Sequence, residues 1–187
     1  ILNKLLAYSG VSEKLDQDTI SDSILDWIDP NKNHRLNGAE DDYYRTQSPP
    51  YYAKNGKIET LDELLKIRGI TNEILYGSSE EDDEDKAYKG IAQFLTVYKV
   101  KSINPNTASE EIINILYTPD QSKEILSNRS SKGYHSNSIS TLFRVTATGK
   151  IEGSRTEHTL EAVFEKTGTG DNIKMVTHYW NDNVLDL

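Results

Sequence analysis

The sequence predicts an α+β protein with its helices first and a small antiparallel sheet last. Two changes of pattern along the chain support this. Up to about residue 130 the apolar side chains recur at helical spacing. Beyond Ser130, "STLFRVTATGKIEG", "TEHTLEAVFEK" and "NIKMVTHYWND" alternate or run β-branched, with Gly149 and "KTGTGDN" as turns. The expected organisation is a helical region over 1–130 and an antiparallel β portion over 131–187.

The elements follow in order. Leu2, Leu5 and Leu6 sit at helical spacing until Ser9-Gly10 breaks it, and a second helix then runs to Trp27 or Ile28. "AEDDYYR" can open another helix. Pro49-Pro50 and Asn55-Gly56 keep "SPPYYAKNGK" from being helical throughout. Thr60 with Glu63 reads as a capping box for a helix ending at Gly69, and Ile70, Ile74 and Leu75 continue into a short one. "SSEEDDED" over 78–85 reads as a solvated charge run, and "AYKGIAQFL" leans towards a helix ending near Leu95. Thr107 or Ser109 caps a helix carrying Ile112, Ile113, Ile115 and Leu116, and Pro119 starts the next. Three strands are expected over about 140–149, 156–167 and 172–181. Tyr51 and Tyr52, after the proline pair, read as a local aromatic plug.

Composition narrows the function. The chain has 187 residues with a formal net charge of −9. Such a chain repels phosphate backbones, so nucleic acid is not an expected partner. The hydrophobic share of 35% points to a loop-rich protein, or one that buries surface against partners. No cysteine is present, which removes thiolate chemistry and disulfides. The four histidines, His34, His135, His158 and His178, do not fall at metal-ligand spacing. No stretch of about 18 apolar residues occurs in the chain.

One stretch carries chemistry. "DPNKNHRLNGAE", from Asp29 to Glu40, follows the second helix directly. An EF-hand loop supplies oxygens from positions 1, 3, 5, 7, 9 and 12, the seventh through its carbonyl, because Ca²⁺ wants six to eight hard ligands. Those positions here are Asp29, Asn31, Asn33, Arg35, Asn37 and Glu40, with Asp41 placed to add a further carboxylate. Leu36 is expected to dock the loop on the core. His34 stands where the pattern wants glycine, and would have to adopt a left-handed backbone there. One calcium ion is the cofactor expected; the acidic run reads as solvated rather than as a second site.

No nucleophile elbow, P-loop or GxGxxG occurs, and no carboxylate pair stands out from helix surface, so no enzyme is expected. "LLKIRGITNEIL", "LLAYSGVSEKL" and "NPNTASEEIINIL" are similar to helix–hairpin–helix units. A DNA-gripping module is therefore the alternative function, opposed by the acidic charge.

Taken together, "SDSILDWIDPN…RLNGAEDDYYRTQSPPYYAKNGKIETLDELLKIRGIT", "INPNTAS" and "FRVTATGKIEG…LEAVFEK" resemble the type II secretion minor pseudopilin family called general secretion pathway protein K. The resemblance implies a pseudopilin-type antiparallel sheet with a large, mostly helical inserted domain. It implies a leader and an apolar N-terminal transmembrane helix, both absent from this chain, and anchorage at the periplasmic face of the bacterial inner membrane. It implies a non-enzymatic subunit that caps the pseudopilus tip with other minor pseudopilins and helps start its assembly. Some members of the family bind calcium in the helical domain.

Overall fold

The computed structural model describes residues 1–78, 87–100, 102–136, 138, 140–153 and 157–182. The acidic run over 79–85 lies outside them. The chain divides into two compact units, one of 1–99 with 109–126, the other of 100–108 with 127–187.

The first unit is helical. Helix α1, Leu2–Ser9, ends where Gly10 turns left-handed at φ 112°, with its N–H bonded back to Ala7. That conformation suits glycine and closes the helix end. Helix α2, Lys14–Ile28, buries a stripe of Gln17, Ile20, Ser23, Asp26 and Trp27. The stripe follows the helical period, but three of its five members, Gln17, Ser23 and Asp26, carry polar groups usually kept near water. Helix α3 is only Asp41–Tyr44, a single turn where a longer exit helix was possible.

The expected capping box at Thr60 does not form. Leu61–Lys66 is a 3₁₀ helix, Thr60 makes no side-chain cap bond, and Glu63 accepts instead from the N–H of Glu59 at 3.1 Å. Trp27 and Lys54 hold the same carboxylate and turn it away from its own helix end. Thr71 does cap the short helix α4, Asn72–Tyr76, by accepting from Ile74. The helix expected up to Leu95 shrinks to one 3₁₀ turn, Ala92–Phe94. Ser109, not Thr107, caps helix α5, Glu110–Leu116. Helix α6, Pro119–Lys132, opens with a reciprocal pair: Thr118 accepts from the Gln121 N–H while the Gln121 side chain accepts from the Thr118 N–H.

The core of this unit gathers Leu5, Leu6, Ile20, Trp27, Tyr44, Ile67, Ile74, Leu75 and Ile91. Trp27 stands edge-on to Tyr44 at 5.1 Å between ring centres, and Tyr51 stacks on Tyr44 at 5.3 Å. Of the expected plug, Tyr51 joins this cluster, while Tyr52 is 64% exposed.

The second unit holds a meander, β1-β2-β3, with β1 Leu142–Lys150, β2 Glu157–Thr167 and β3 Lys174–Asn181. Both pairings are antiparallel, and a bulge falls between Val163 and Phe164. The central strand buries Thr159, Ala162 and Val163, whereas Phe143, Met175 and Trp180 on its neighbours stay largely exposed. In "INPNTAS", Asn106 acts as a clamp. Its Oδ1 accepts from the N–H groups of His135 and Ser136, and its Nδ2 donates to the Ser136 carbonyl at 2.7 Å. No helix among the described residues is long and apolar enough to cross a membrane.

Candidate metal centre

Helix α2 delivers three aspartates to one side of the loop that follows it. Asp22 and Asp26 are four residues apart and Asp29 three further on, a spacing that puts them on one face. Asp26 is fully buried. Asp29 caps the helix end in an extended conformation, φ −83° and ψ 156°, and so starts the loop's departure.

Two nested Asx turns then fold the loop back. Asp29 Oδ1 accepts from the N–H of Asn31 at 3.2 Å and from its side-chain amide at 2.6 Å, and Asn31 Oδ1 accepts from the Asn33 N–H at 2.8 Å. Asn37 reaches Asp22, donating its backbone N–H at 3.2 Å. Gly38 passes so close to helix α2 that a Cβ placed there would sit 1.8 Å from an Asp26 carboxylate oxygen. Only glycine allows this approach.

Arg35 closes the arrangement. Its backbone N–H donates to Asp26 Oδ2 at 3.0 Å, and its guanidinium Nη1 donates to Asp26 Oδ1 and to Asp29 Oδ2, the latter at 2.7 Å. Its carbonyl accepts from the Gly38 N–H at 3.1 Å and lies 2.9 Å from His34 Nδ1. Asp41 is held from two sides, by Lys32 at 3.0 Å and by the Ala53 N–H at 3.1 Å.

Glu40 is the exception. It is 2% exposed, yet neither carboxylate oxygen has a hydrogen-bond partner. Burial raises its pKa, and the nearby charges of Asp26, Asp41 and Asp29 push the same way; the Asp41 backbone N–H opposes them only weakly, because it lies outside good hydrogen-bond geometry. Arg35 and Asn31 hold Asp29 below the usual carboxylate range against a smaller opposing effect of burial. Lys32 does the same for Asp41.

The residues expected as ligands therefore divide. Asp29, Arg35, Glu40 and Asp41 gather around the end of helix α2. The Asn31 side chain is spent on turn geometry, Asn33 enters that turn through its backbone N–H alone, and Asn37 is drawn to Asp22. Three expectations need correction. Leu36 does not dock on the core but stands 93% exposed, because Arg35 and Asn37 on either side already tether the loop. His34 takes no left-handed backbone; among the described residues only Asn55, at φ 49°, does so without being glycine. Arg35 brings its side chain to Asp26 and Asp29, where only its carbonyl was asked for. Sequence reasoning also missed Asp26, which read as helix surface. The signal was there: Asp26 lies three residues beyond Ser23 and six beyond Ile20, on the stripe that carries the core.

An orphaned, buried carboxylate beside Asp26, Asp29 and Asp41 is a donor set suited to a hard divalent cation. The groups do not already close on a common point; among the described residues no three acidic or imidazole side chains stand ready as ligands. The residues fit calcium in chemistry, with Arg35 lying between two of them.

Residues 1–77 match the family described as type II secretion system, protein K. Relatives with that description include one from Escherichia coli K12, 36% identical over 74 residues, covering 40% of this chain and 22% of the relative. Another, from Pseudomonas aeruginosa, is 28% identical over 137 residues, 71% of this chain and 37% of the relative. A third, from Pectobacterium carotovorum, is 26% identical over 141 residues, 70% and 39% respectively. The chain thus spans between 21% and 39% of the length of such relatives. Its fold is similar to a chain in the crystal structure of the GspK-GspI-GspJ complex from the enterotoxigenic Escherichia coli type 2 secretion system. The TM-score is 0.56 at 14% identity, covering 98% of this chain and 69% of that one. That likeness gives a shared arrangement of helices and antiparallel sheet. Over its first 77 residues, from helix α1 through the loop after helix α2 to helix α4, the chain is similar to the type II secretion system protein K family.

Proposed function

We propose that this chain is part of a non-enzymatic minor pseudopilin that sits at the tip of a type II secretion pseudopilus. Together with other minor pseudopilins it caps the tip and starts assembly. Its helical residues form a domain inserted in a pseudopilin sheet, on the periplasmic side of the inner membrane, with an apolar N-terminal helix as the anchor. The observation that carries this reading is the protein K match over residues 1–77. The structural neighbour, solved in a complex with GspI and GspJ, supports the choice of partners. The alternative of a DNA-gripping module falls away, because two of the three segments that suggested it lie inside that match.

The test is co-expression of the chain with the I and J pseudopilins of its own organism, followed by size-exclusion chromatography. A three-protein complex is expected. Elution of the chain alone, at concentrations well above micromolar, would overturn the proposal.

Calcium belongs to the same reading. Asp26, Asp29, Glu40 and Asp41 would hold the ion, with the Arg35 carbonyl as a neutral donor. The ion supplies the positive charge that Glu40 lacks and ties the loop to helix α2. A ligand that binds only the folded chain stabilises it by RT ln(1 + [L]/Kd), about 2.7 kcal/mol at a hundredfold excess over Kd. A chain of this size should then melt roughly 2–4 °C higher for each kcal/mol gained. Thermal melting in millimolar calcium against chelator measures this, and coincident curves would remove the calcium claim while leaving the family untouched.

A further inference from the structure

Arg35 stands at the loop position from which a calcium pattern asks only a carbonyl. Its side chain does something else. The guanidinium lies between Asp29, the first loop position, and Asp26, the buried carboxylate of helix α2, and bonds to both. Its own N–H fixes the second Asp26 oxygen at 3.0 Å. A positive charge thus already sits among the acids that a divalent ion would need.

Three further features mark this position as one that can be vacated. The Arg35 side chain is 39% exposed while Asp26 is fully buried, so the guanidinium can swing into water without unfolding the helix behind it. The Arg35 carbonyl faces the Gly38 N–H and the His34 ring, so backbone contacts hold this part of the loop independently of the guanidinium. One guanidinium also cannot answer three carboxylates. Asp26 and Asp29 share it, and Glu40 is left buried with no cation or side-chain donor at either oxygen.

We infer that the Arg35 side chain is a displaceable internal cation: it closes the loop on Asp26 and Asp29 when no metal is bound, and a divalent ion must expel it to reach them. The inference rests on the calcium reading of this centre. It makes the loop ordered in the metal-free chain, since a buried aspartate left without a counter-charge would destabilise it strongly. It also weakens the apparent metal affinity, because only the fraction of molecules with the guanidinium displaced can bind. One residue therefore trades stability without metal against affinity for it.

The trade is testable in the full 187-residue chain. Calcium binding is measured by titration calorimetry for the wild type, Arg35→Leu and Arg35→Lys, and melting is measured for each in chelator. Arg35→Leu should bind calcium at least about tenfold more tightly, roughly the loss of one competing charge-assisted bond, and should melt lower in chelator. Arg35→Lys, a point charge without the planar fork, should fall between. In the wild type, the Arg35 guanidinium resonance, assigned by its loss in Arg35→Lys, should shift as calcium saturates.

An Arg35→Leu chain that binds calcium no more tightly than the wild type overturns the inference. So does a guanidinium resonance that stays put at saturation. If neither chain binds calcium, the metal reading falls and the inference falls with it. If only Arg35→Leu binds, the plug holds so firmly that it hides the site, and the inference stands. Should the Leu variant fail to fold in chelator, the Lys variant and the resonance decide.

Discussion

Two glutamates of the helical unit are nearly as buried as each other, yet their surroundings differ completely. Glu63 lies under the 3₁₀ turn with its side chain 11% exposed. It accepts from the Trp27 indole at 2.8 Å, from Lys54 at 2.8 Å and from the Glu59 N–H at 3.1 Å. Burial alone would raise its pKa, but these three donors outweigh it and hold the group below the ordinary glutamate value. Glu40 has the burial but no side-chain donor, and the one backbone N–H beside it, that of Asp41, is too poorly placed to offset the burial. A carboxylate is costly to bury, and folded proteins almost always supply partners. The first glutamate is therefore complete as folded, and the second is complete only with something added. That contrast separates a carboxylate satisfied by the fold from one the fold leaves without a counter-charge.

The largest way to break the comparison is Glu63→Ala. It strips the partner from a buried indole N–H and from Lys54, which should cost about 2–4 kcal/mol. Denaturant unfolding should show this equally in calcium and in chelator, since Glu63 serves no ion. A loss seen only in calcium would mean that the two glutamates had been assigned to the wrong roles.

Glu40→Gln sharpens the contrast with an opposite sign. Removing an unpaired buried charge should stabilise the metal-free chain by about 1–2 kcal/mol. On the proposed calcium reading the same change removes a bidentate ligand, so the rise in melting temperature on adding calcium should vanish. The variant is thus the more stable chain in chelator and loses its advantage in calcium. A chelator midpoint below that of the wild type would show that Glu40 has a partner in the folded chain after all.

How much of this was legible beforehand depends on what each residue answers to. Helix α2, the break at Gly10, the Ser109 cap and all three strands followed from local chemistry, and the structure places them within a few residues of expectation. The spacing of Asp29, Glu40 and Asp41 was equally visible, since ligand patterns are written in sequence positions. The role of Glu63 was not. Thr60-x-x-Glu63 is a sound capping signature, but a buried Trp27 thirty-six residues away competes for the same carboxylate and wins. Asp26 and the side-chain role of Arg35 were missed for a similar reason. A pattern that counts backbone carbonyls has nothing to say about an arginine side chain that turns back nine residues to a helix. Leu36 looked like an anchor because it is aliphatic, yet the loop is tethered by polar contacts on either side of it.

Acidity tests the contrast most gently, and with both signs at once. Glu63 is depressed in the folded chain, so its contribution is complete above the ordinary value of 4.5 and is lost as pH falls through its lower folded value. Glu40 is raised, so the folded chain takes up its proton first. Its contribution is complete below 4.5 and is lost as pH climbs through the higher folded value. Melting of the metal-free chain as a function of pH should then respond differently to the two isosteric variants. Glu63→Gln should flatten the fall in stability on the acid side of 4.5, while keeping an oxygen for Trp27. Glu40→Gln should flatten the fall that accompanies rising pH on the other side. Each effect should amount to a few degrees at most, so the slopes on either side of 4.5 are the quantity to compare. Because calcium prefers the ionised carboxylate, it should erase the Glu40 slope and leave that of Glu63 in place. A profile in which calcium altered both slopes equally would put the two carboxylates in one shared network and end the contrast between them.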